Sequence, residues 1–279
     1  METNNAQAQK TKQRIKALQD TIKITKALDS ISLVKMRKAT STLKKNKVYF
    51  DRIQESVQDM VNYTKDNLNP YLVQKQNGKH VFLVIAGDKG FCGAYNHTLC
   101  KYTLDILSKY NPEDIILYCV GYKLIEFCER NNLAFIKDFV YSSNINSNID
   151  AQAIAIQMHS LYISGEISTI NIIYTQLQGG TLSKPYMIQA LPIIPTKPSQ
   201  IATNQQIIED EEFFKDVVYE PSIEKVLDSL IDQYLNGIIF GALVHSQVAE
   251  HTSRCMAMGN ATDNAQEILE KVKSRRNQG

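Results

Sequence analysis

The chain has 279 residues, of which 43% are hydrophobic and 22% are charged, and its net charge is +2. This length suffices for one large or two modest hydrophobic cores, and the apolar content excludes a wholly disordered protein. No run of about 18 uncharged apolar residues occurs, so the sequence predicts no membrane-spanning helix. The polar first eleven residues argue against a secretory signal or an Arg-rich organelle presequence.

Charge is distributed unevenly along the chain. Between Lys12 and Lys47 there are eleven basic and two acidic residues, so this segment has a surplus of nine positive charges. The last nine residues add four basic residues and no acid, while the middle of the chain is acidic. Because concentrated positive charge attracts negatively charged surfaces, we expect the two ends of the chain to meet a polyanionic partner.

The first predicted element is one very long helix. Proline first occurs at Pro70 and glycine at Gly78, although ordinary loops recruit both residue types. Apolar residues recur three or four positions apart, which is typical of a helix that packs one narrow face on a single partner helix. The residues assigned to this face are Ile15, Leu18, Ile22, Ile24, Leu28, Ile31, Val34, Leu43, Val48, Ile53, Val57 and Met60.

After the first predicted helix, the sequence contains short, β-branched apolar runs that alternate with segments of helical pattern. Strands that are apolar on both faces and joined by helical crossovers indicate a mostly parallel, Rossmann-like α/β sheet. The predicted strands are 80–86, 114–120, 169–175 and 186–191, and the predicted helices are 95–107, 122–131 and 150–164.

A second long helix is predicted at the end of the chain. Pro221-Ser222-Ile223-Glu224 has the pattern of a helix start, and apolar residues continue at helical spacing towards Lys273. Glycine inside a helix costs about 1 kcal/mol, so each interior glycine is expected to mark a close approach between helices. These glycines are Gly237, Gly241 and Gly259.

The order of these elements predicts the architecture. If both long helices leave the same side of the α/β domain, one runs towards the domain and the other away, so they must pair antiparallel. We therefore predict an α/β protein with a long antiparallel coiled coil of its N- and C-terminal helices. The predicted domains are an N-terminal shaft helix at 1–69, an α/β head at 70–208 and a C-terminal shaft helix at 209–279.

A glycine-rich loop, Gly87 to Asn96, follows the first predicted strand. Phosphate-binding loops use glycines so that backbone N–H groups at a helix start can contact the anion. This loop has neither the G-x-x-x-x-G-K-[ST] nor the G-x-G-x-x-G pattern, so a tight strand-to-helix turn is the favoured interpretation. Asp88 and Lys89 are expected to display charge at its corner.

Neither a metal site nor a catalytic site is predicted. The five cysteines are scattered without a C-x-x-C pattern, which favours free thiols over disulfides or zinc. Cys92 lies near His97, but proximity alone does not define a thiol–base pair. We expect no cofactor. The basic helix lacks the interleaved aromatics that stack on bases, so a protein-facing surface is favoured over nucleic acid.

Four ordered blocks resemble the gamma subunit of the rotary, F-type ATP synthases along nearly the whole chain. Residues 14–28 with 35–39 are similar to that family's N-terminal helix, and 87–96 to its S-D-[KR]-G-L-C-G-x-x-N loop. Residues 219–222 resemble the start of its C-terminal helix, and 246–264 its S-E-x-A-R-M-x-A-M-x-x-A-T-x-N signature. The motif residues are Asp88, Gly90, Gly93, Ser246, Glu250, Met258 and Asn264.

The chain departs from the family pattern in three places. Ala86 and Gly87 replace a small polar pair before the aspartate, and Cys255 stands where methionine is common. The family also continues for about one further helical segment past the position of Gly279. Two explanations of this difference are left open: the given sequence stops early, or this rotor has a shorter shaft. The chain could also be a divergent rotor that serves a specialised motor.

The resemblance implies a rotor. In that family the coiled coil turns inside a ring of alternating alpha and beta subunits, and its rotation changes the state of three nucleotide sites in turn. Exposed ion pairs, worth about 0–1 kcal/mol each, would join the basic shaft to acidic beta-subunit segments and break easily as it turns. The beta-subunit contacts implied by the resemblance are Lys26, Leu28, Lys35, Lys38, Lys89 and Arg254.

The implied partners are the alpha and beta subunits, an epsilon subunit and a membrane rotor ring at the foot of the head, with no nucleic acid. The chain would be a non-catalytic, cytoplasmic subunit, peripheral on the inner face of a bacterial membrane in preference to the mitochondrial matrix side. The coupling ion and the choice between ATP synthesis and hydrolysis stay open. A nucleic-acid-binding coiled coil and a small-molecule α/β enzyme are the alternatives from other classes.

Overall fold

The computed structural model describes residues 2–63, 70–73, 78–139, 141–143, 148–178, 182–194 and 223–278. The predicted domain junctions near 69 and 208 adjoin or lie within stretches outside the described residues. The elements are α1 (Glu2–Tyr63), β1 (Lys79–Ile85), α2 (Tyr95–Leu107), a 3₁₀ turn (Pro112–Asp114), β2 (Ile115–Val120), α3 (Tyr122–Arg130), α4 (Asn148–Ile163), β3 (Ile167–Gln178), β4 (Leu182–Leu191) and α5 (Ile223–Gln278).

The four strands form one sheet in the order β2-β1-β3-β4. β1 pairs parallel with both β2 and β3, whereas β4 pairs antiparallel with β3. Helices lie between the parallel strands along the chain, but only three residues separate β3 from β4, which is too short for a parallel crossover. The prediction of a mostly parallel α/β sheet is confirmed.

The central strand β1 divides the head into two cores. Phe82 and Val84 pack in a cluster with residues of α2 and α3. Val81, Leu83 and Ile85 face the other way, into a cluster that includes residues of α4, α1 and α5. Alternate side chains of a strand point to opposite faces, so a strand that is apolar throughout supplies both cores.

The two long helices pair antiparallel, as predicted. Near one end of the pair the hydroxyls of Thr25 and Thr262 are 2.6 Å apart. Further along, the Phe50 and Phe240 rings have centroids 5.6 Å apart. Rising numbers on α1 therefore meet falling numbers on α5, as an antiparallel coiled coil requires.

The buried seam of α1 differs from the predicted apolar face. Ile24, Ile31, Val34 and Val48 were assigned to that face, but they are 60%, 55%, 67% and 68% exposed, so the prediction is wrong there. The seam instead follows a strict three–four spacing that includes small polar side chains. Its members, all buried or half-buried, are Ile15, Leu18, Ile22, Thr25, Asp29, Ser32, Met36, Ala39, Leu43, Asn46, Phe50, Ile53, Val57 and Met60.

Polar residues can occupy this seam because their hydroxyls bond within the helix. The Ser32 hydroxyl donates to the Leu28 carbonyl at 2.7 Å, and the Thr25 hydroxyl to the Thr21 carbonyl at 3.1 Å. A buried hydroxyl with a partner avoids the desolvation cost of an unsatisfied one. An apolar pattern alone therefore misplaces the seam by one residue at Ile24 and Ile31.

One of the three interior glycines of α5 marks a close approach. A Cβ at Gly237 would lie 2.7 Å from Cδ1 of Phe50, so only glycine allows α1 to pack there. A Cβ at Gly241 or Gly259 would meet nothing within 4 Å. The prediction is confirmed for Gly237 and wrong for the other two.

Candidate partner-binding site

The glycine-rich loop is held rigidly at the carboxyl end of β1. Oδ1 of Asp88 accepts hydrogen bonds from the backbone N–H groups of Ser143 and Tyr122, at 3.1 and 3.3 Å, and Oδ2 accepts one from the Ser142 hydroxyl at 2.5 Å. Burial alone would raise the pKa of the Asp88 carboxyl, but these hydrogen bonds outweigh it and lower the pKa. Asp88 thus turns inward instead of displaying its charge, whereas Lys89 is exposed.

Two backbone N–H groups of the loop form hydrogen bonds within the protein. This favours the interpretation as a tight turn and argues against a phosphate-binding loop. The N–H of Gly87 donates to Oδ1 of Asn96 at 2.9 Å, and the N–H of Asp88 donates to the Ser143 hydroxyl at 3.1 Å. Gly93 has a φ of +58°, in the left-handed region that favours glycine. A Cβ at Gly90 would meet nothing within 4 Å, so no close contact requires that glycine.

A buried ion pair on α5 contacts the backbone of the loop. Nη2 of Arg254 lies 2.5 Å from Oε1 of Glu250, one helical turn earlier, and both side chains are less than a tenth exposed. The Arg254 guanidinium also donates to the Gly90 carbonyl at 3.2 Å and to the Lys89 carbonyl at 3.3 Å. Arg254 therefore binds the backbone that carries Lys89.

Gly87 packs closely against this same ion pair. A Cβ at position 87 would lie 2.9 Å from the carboxyl carbon of Glu250. A side chain there would require the Glu250 carboxylate to shift.

The environment of the ion pair shifts two pKa values. Burial raises the pKa of the Glu250 carboxyl, although Arg254 opposes that shift. Burial also lowers the pKa of His251 to about 4, with Arg254 and Lys35 adding to the effect. Nη1 of Arg254 lies 3.1 Å from Nδ1 of His251, so the neutral imidazole accepts this bond. The Cys255 thiol, next to Arg254 in sequence, contacts the Asp29 carbonyl at 3.7 Å, so α1 passes close to this part of α5.

Ser246 and Met258 are buried structural residues. The Tyr95 hydroxyl donates to the Ser246 carbonyl at 3.2 Å, which fixes the start of α2 to α5. Met258 is 6% exposed and lies within α5, whereas Asn264 is exposed. The resemblance alone gave no indication of which motif residues face inward.

The six predicted partner contacts divide into two groups. Lys26, Lys35, Lys38 and Lys89 are exposed on the shaft and loop, while Leu28 is half-buried. Among the described residues, no carboxylate lies within 4.0 Å of the ammonium groups of Lys26, Lys35 or Lys38. Arg254 differs from the other five because its side chain is buried against its own chain.

Cys92 is packed as a thiol and is not brought to His97. Its Sγ contacts the Lys89 carbonyl at 3.7 Å and Nδ2 of Asn96 at 3.3 Å. Burial raises the pKa of the Cys92 thiol, which disfavours the nucleophilic thiolate. In the described part of the chain, no three His, Cys, Asp or Glu side chains are grouped so that they could hold a metal ion.

Phe91 is a prominent loop residue that the sequence analysis did not single out. Its φ is +60°, and its ring is 72% exposed next to Lys89. A non-glycine residue at positive φ is strained, so the loop contacts on either side must hold this conformation.

None of the helices that the structure describes is long and apolar enough to cross a membrane.

Comparisons with known proteins cover nearly the whole chain. A family model described as ATP synthase matches residues 7–279. The ATP synthase gamma chain of Caldanaerobacter subterraneus subsp. tengcongensis is 32% identical over 267 residues, covering 93% of this chain and 89% of its own length. The ATP synthase gamma chain of Caldicellulosiruptor saccharolyticus is 34% identical over 268 residues, covering 94% and 88%.

Two solved structures share the fold. The central stalk of the Tetrahymena thermophila mitochondrial ATP synthase has a TM-score of 0.60 at 19% identity, covering 85% of this chain and 99% of that one. The rotor of the Euglena gracilis mitochondrial ATP synthase has a TM-score of 0.65 at 14% identity, covering 97% of each chain. Since the family model and the gamma-chain relatives span almost every residue, the chain belongs to the ATP synthase gamma chain family, the rotor-stalk subunits of F-type ATP synthases.

Proposed function

We propose that this chain is the non-catalytic shaft that couples rotation to sequential changes in the beta subunits of its ATP synthase. The observation that carries the proposal is the division of the helix pair into two parts. The proximal shaft, residues 40–63 of α1 and 223–248 of α5, shares a core with the head. The distal shaft, residues 9–39 and 249–276, meets that core at Met36 and Ala39 and otherwise extends beyond it, and it carries the exposed Lys26, Lys35 and Lys38.

The distal shaft has the charge expected for reversible contacts with acidic segments. Lys26, Lys35 and Lys38 are exposed there, and exposed ion pairs with a partner would contribute about 0–1 kcal/mol each. Leu28 and Lys89 complete the proposed beta-subunit contact. For Arg254 we propose a positioning role, because it holds the Lys89 backbone instead of facing outward.

The proposed partners follow from the same division. An alpha–beta hexamer surrounds the distal shaft, while the head at the opposite end meets an epsilon subunit and a membrane rotor ring. The solved central stalk from Tetrahymena is described together with a c-ring, which supports this arrangement. The proposed location is the cytoplasmic face of a bacterial membrane, where the chain is held by other subunits.

Charge reversal tests the proposed contact. Lys35→Glu, Lys38→Glu and Lys89→Glu together should leave the helical content and melting temperature of the chain unchanged, because all three side chains are exposed. In the assembled complex they should lower the torque in single-molecule rotation. The matched control reverses the exposed head residues Lys101, Lys109 and Lys137. Unchanged torque in the shaft triple variant contradicts the charge argument.

A partner analysis separates the rotor function from the nucleic-acid-binding alternative. The native complex should be isolated through a tag on this chain and its subunits identified by mass spectrometry. Alpha, beta and epsilon subunits of one F-type complex are the expected result. Recovery of nucleic acid without these subunits would instead favour the nucleic-acid-binding coiled coil.

A further inference from the structure

A cavity of about 330 Å³ lies between the proximal shaft and the sheet of the head. Its walls are formed by residues between 43 and 54 of α1, residues between 237 and 245 of α5, and parts of β3 and β4. Well-packed protein interiors contain few voids larger than a water molecule, whereas small-molecule sites are clefts of about 300–1,000 Å³. The cavity therefore has the size of a small-ligand site.

Gly241 leaves room in the wall that α5 contributes. Glycine weakens the interior of a helix relative to alanine, so an interior glycine usually has a packing reason. Gly237, which also lines the cavity, has such a reason in its contact with Phe50. Among the described residues, a Cβ at Gly241 would meet nothing within 4 Å, so no neighbouring helix requires this glycine. A side chain at position 241 would instead occupy the cavity.

Four rings line the cavity, and they belong to Phe50, Phe240, Tyr174 and His245. The Phe50 and Phe240 rings have centroids 5.6 Å apart and planes tilted by 50°. The Tyr174 and His245 rings have centroids 6.1 Å apart and planes tilted by 40°. Aromatic rings pack favourably in offset or edge-to-face arrangements. This lining therefore favours an aromatic ligand over an aliphatic one.

The mouth of the cavity carries more positive than negative charge. Lys47 lines the cavity, its side chain is 67% exposed, and its Nζ lies 2.6 Å from Oδ2 of Asp51. Lys44 precedes Lys47 by three residues and so lies on the same side of α1. Burial lowers the pKa of His245 and Lys47 adds to the effect, so this imidazole is neutral near neutral pH. One carboxylate on a ligand would balance the surplus.

We propose that this cavity binds a small aromatic carboxylic acid, with its ring among the four aromatic side chains and its carboxylate beside Lys47. The proposal does not depend on the proposed function, because every contact lies within this chain. A phosphate group fits less well, because phosphate sites use the free N–H groups at a helix start and this cavity lies against helix interiors. A bound ligand would contact both shaft helices and the sheet, so it would stabilise the attachment of the shaft to the head.

The probe for this site is 2-naphthoate, and its binding to the full-length chain is measured by isothermal titration calorimetry. Two analogues separate the chemical contributions. The amine 2-naphthylmethylamine keeps the rings but is positively charged, and octanoate keeps the carboxylate but has no ring. We expect 2-naphthoate to bind more tightly than either analogue, by on the order of fivefold. It should also raise the melting temperature, because it binds the folded state.

Three variants test the position of the site. Gly241→Leu should weaken binding of 2-naphthoate by at least about tenfold, because its side chain fills the cavity, and leucine is the better helix former. The matched control is Gly259→Leu, at another α5 glycine where a Cβ would meet nothing within 4 Å but which does not line the cavity, and its binding should be unchanged. Lys47→Gln should weaken 2-naphthoate by up to about fivefold without weakening the amine.

Four results would overturn the proposal. The unmodified chain could fail to bind 2-naphthoate, or Gly241→Leu could bind it as tightly as the unmodified chain or lose no more affinity than Gly259→Leu. Equal or tighter binding of the amine or of octanoate would show that the ligand class is wrong. Binding to the isolated chain but not to the assembled ATP synthase would show that a partner subunit covers the cavity. The rotor function would stand in each case.

Discussion

The proximal and distal parts of the shaft are built from the same two helices but are held together differently. In the proximal shaft, five α5 residues spaced four apart are no more than 1% exposed: Leu227, Ile231, Leu235, Ile239 and Leu243. In the distal shaft the corresponding buried positions are fewer and smaller or more exposed, with Thr262 and Ala265 at 6% and Leu269 at 7%. The proximal side packs against the sheet as well as against α1. The distal side contacts the head through the loop at Arg254, and further along it faces α1, as at Thr25 and Thr262.

This difference shows how one coiled coil can be fixed to the head at one end and leave its outer surface available at the other. A shaft transmits torque only if one end is fixed to the head, and the continuous core provides that attachment. The other end must leave its outer surface available to partners, so its seam is narrow and partly polar. Four predictions test this contrast, in order of decreasing expected effect.

The buried ion pair at the border between the two parts should have the largest effect. Arg254→Met should destabilise the chain by about 3–5 kcal/mol, because it leaves the Glu250 carboxylate buried without a partner. Chemical denaturation measures this loss. The double variant with Glu250→Gln should recover much of it. If both variants unfold at the same denaturant concentration as the unmodified chain, the pair does not hold the border.

Truncation of a seam side chain should have different effects on stability in the two parts of the shaft. Leu235→Ala in the proximal shaft should cost about 2–5 kcal/mol, because Leu235 is fully buried in the shared core. Leu269→Ala in the distal shaft should cost less, because its site can collapse or admit water. Equal losses of unfolding free energy would show that the two parts are packed alike.

Acid should weaken the border through His251. Its pKa is lowered to about 4, so the folded state resists protonation that the unfolded state accepts near pH 6.5. The unfolded state therefore binds more protons between these values, and stability falls as pH decreases from about 6.5 to about 4, by on the order of 1–2 kcal/mol. His251→Gln should flatten this part of the stability–pH profile, measured by denaturation at each pH. An unchanged profile would assign the acid sensitivity to other groups.

The polar contact in the distal seam should contribute least. Thr25→Val removes one partner of the 2.6 Å hydroxyl pair, but the Thr262 hydroxyl still donates to the Met258 carbonyl at 2.9 Å. The expected cost is therefore about 1 kcal/mol or less. The double variant Thr25→Val with Thr262→Val should be as stable as the unmodified chain or more stable, as judged by its melting temperature. A loss of several kcal/mol would mean that the distal seam depends on this pair.

Much of the fold was predictable because its signals are local. The absence of breakers before Pro70 predicted α1, and β-branched runs predicted the strands to within a few residues. The seam was harder, because Thr25 and Ser32 are polar by type and become compatible with burial only through hydrogen bonds to their own helix. Pattern therefore assigned Ile24 and Ile31 to a face that they do not occupy.

The residues of the candidate site could be identified from the sequence, but the directions of their side chains could not. The family motifs identified the loop and the α5 signature, and Lys89 is exposed as expected. The roles of Arg254 and Gly87 depend on the approach of α5 to the loop, a contact between residues more than 150 positions apart. A single sequence carries no signal for that distance, so the inward direction of Arg254 could not be predicted.

Single-molecule rotation of the assembled complex tests whether this chain is the turning shaft. The alpha–beta hexamer is fixed to a surface, and a probe is attached to a cysteine introduced at the exposed head position Lys109 in a Cys255→Ser background. The probe should turn continuously in one direction while ATP is hydrolysed. A probe that stays fixed while the complex hydrolyses ATP at its full rate would contradict this expectation.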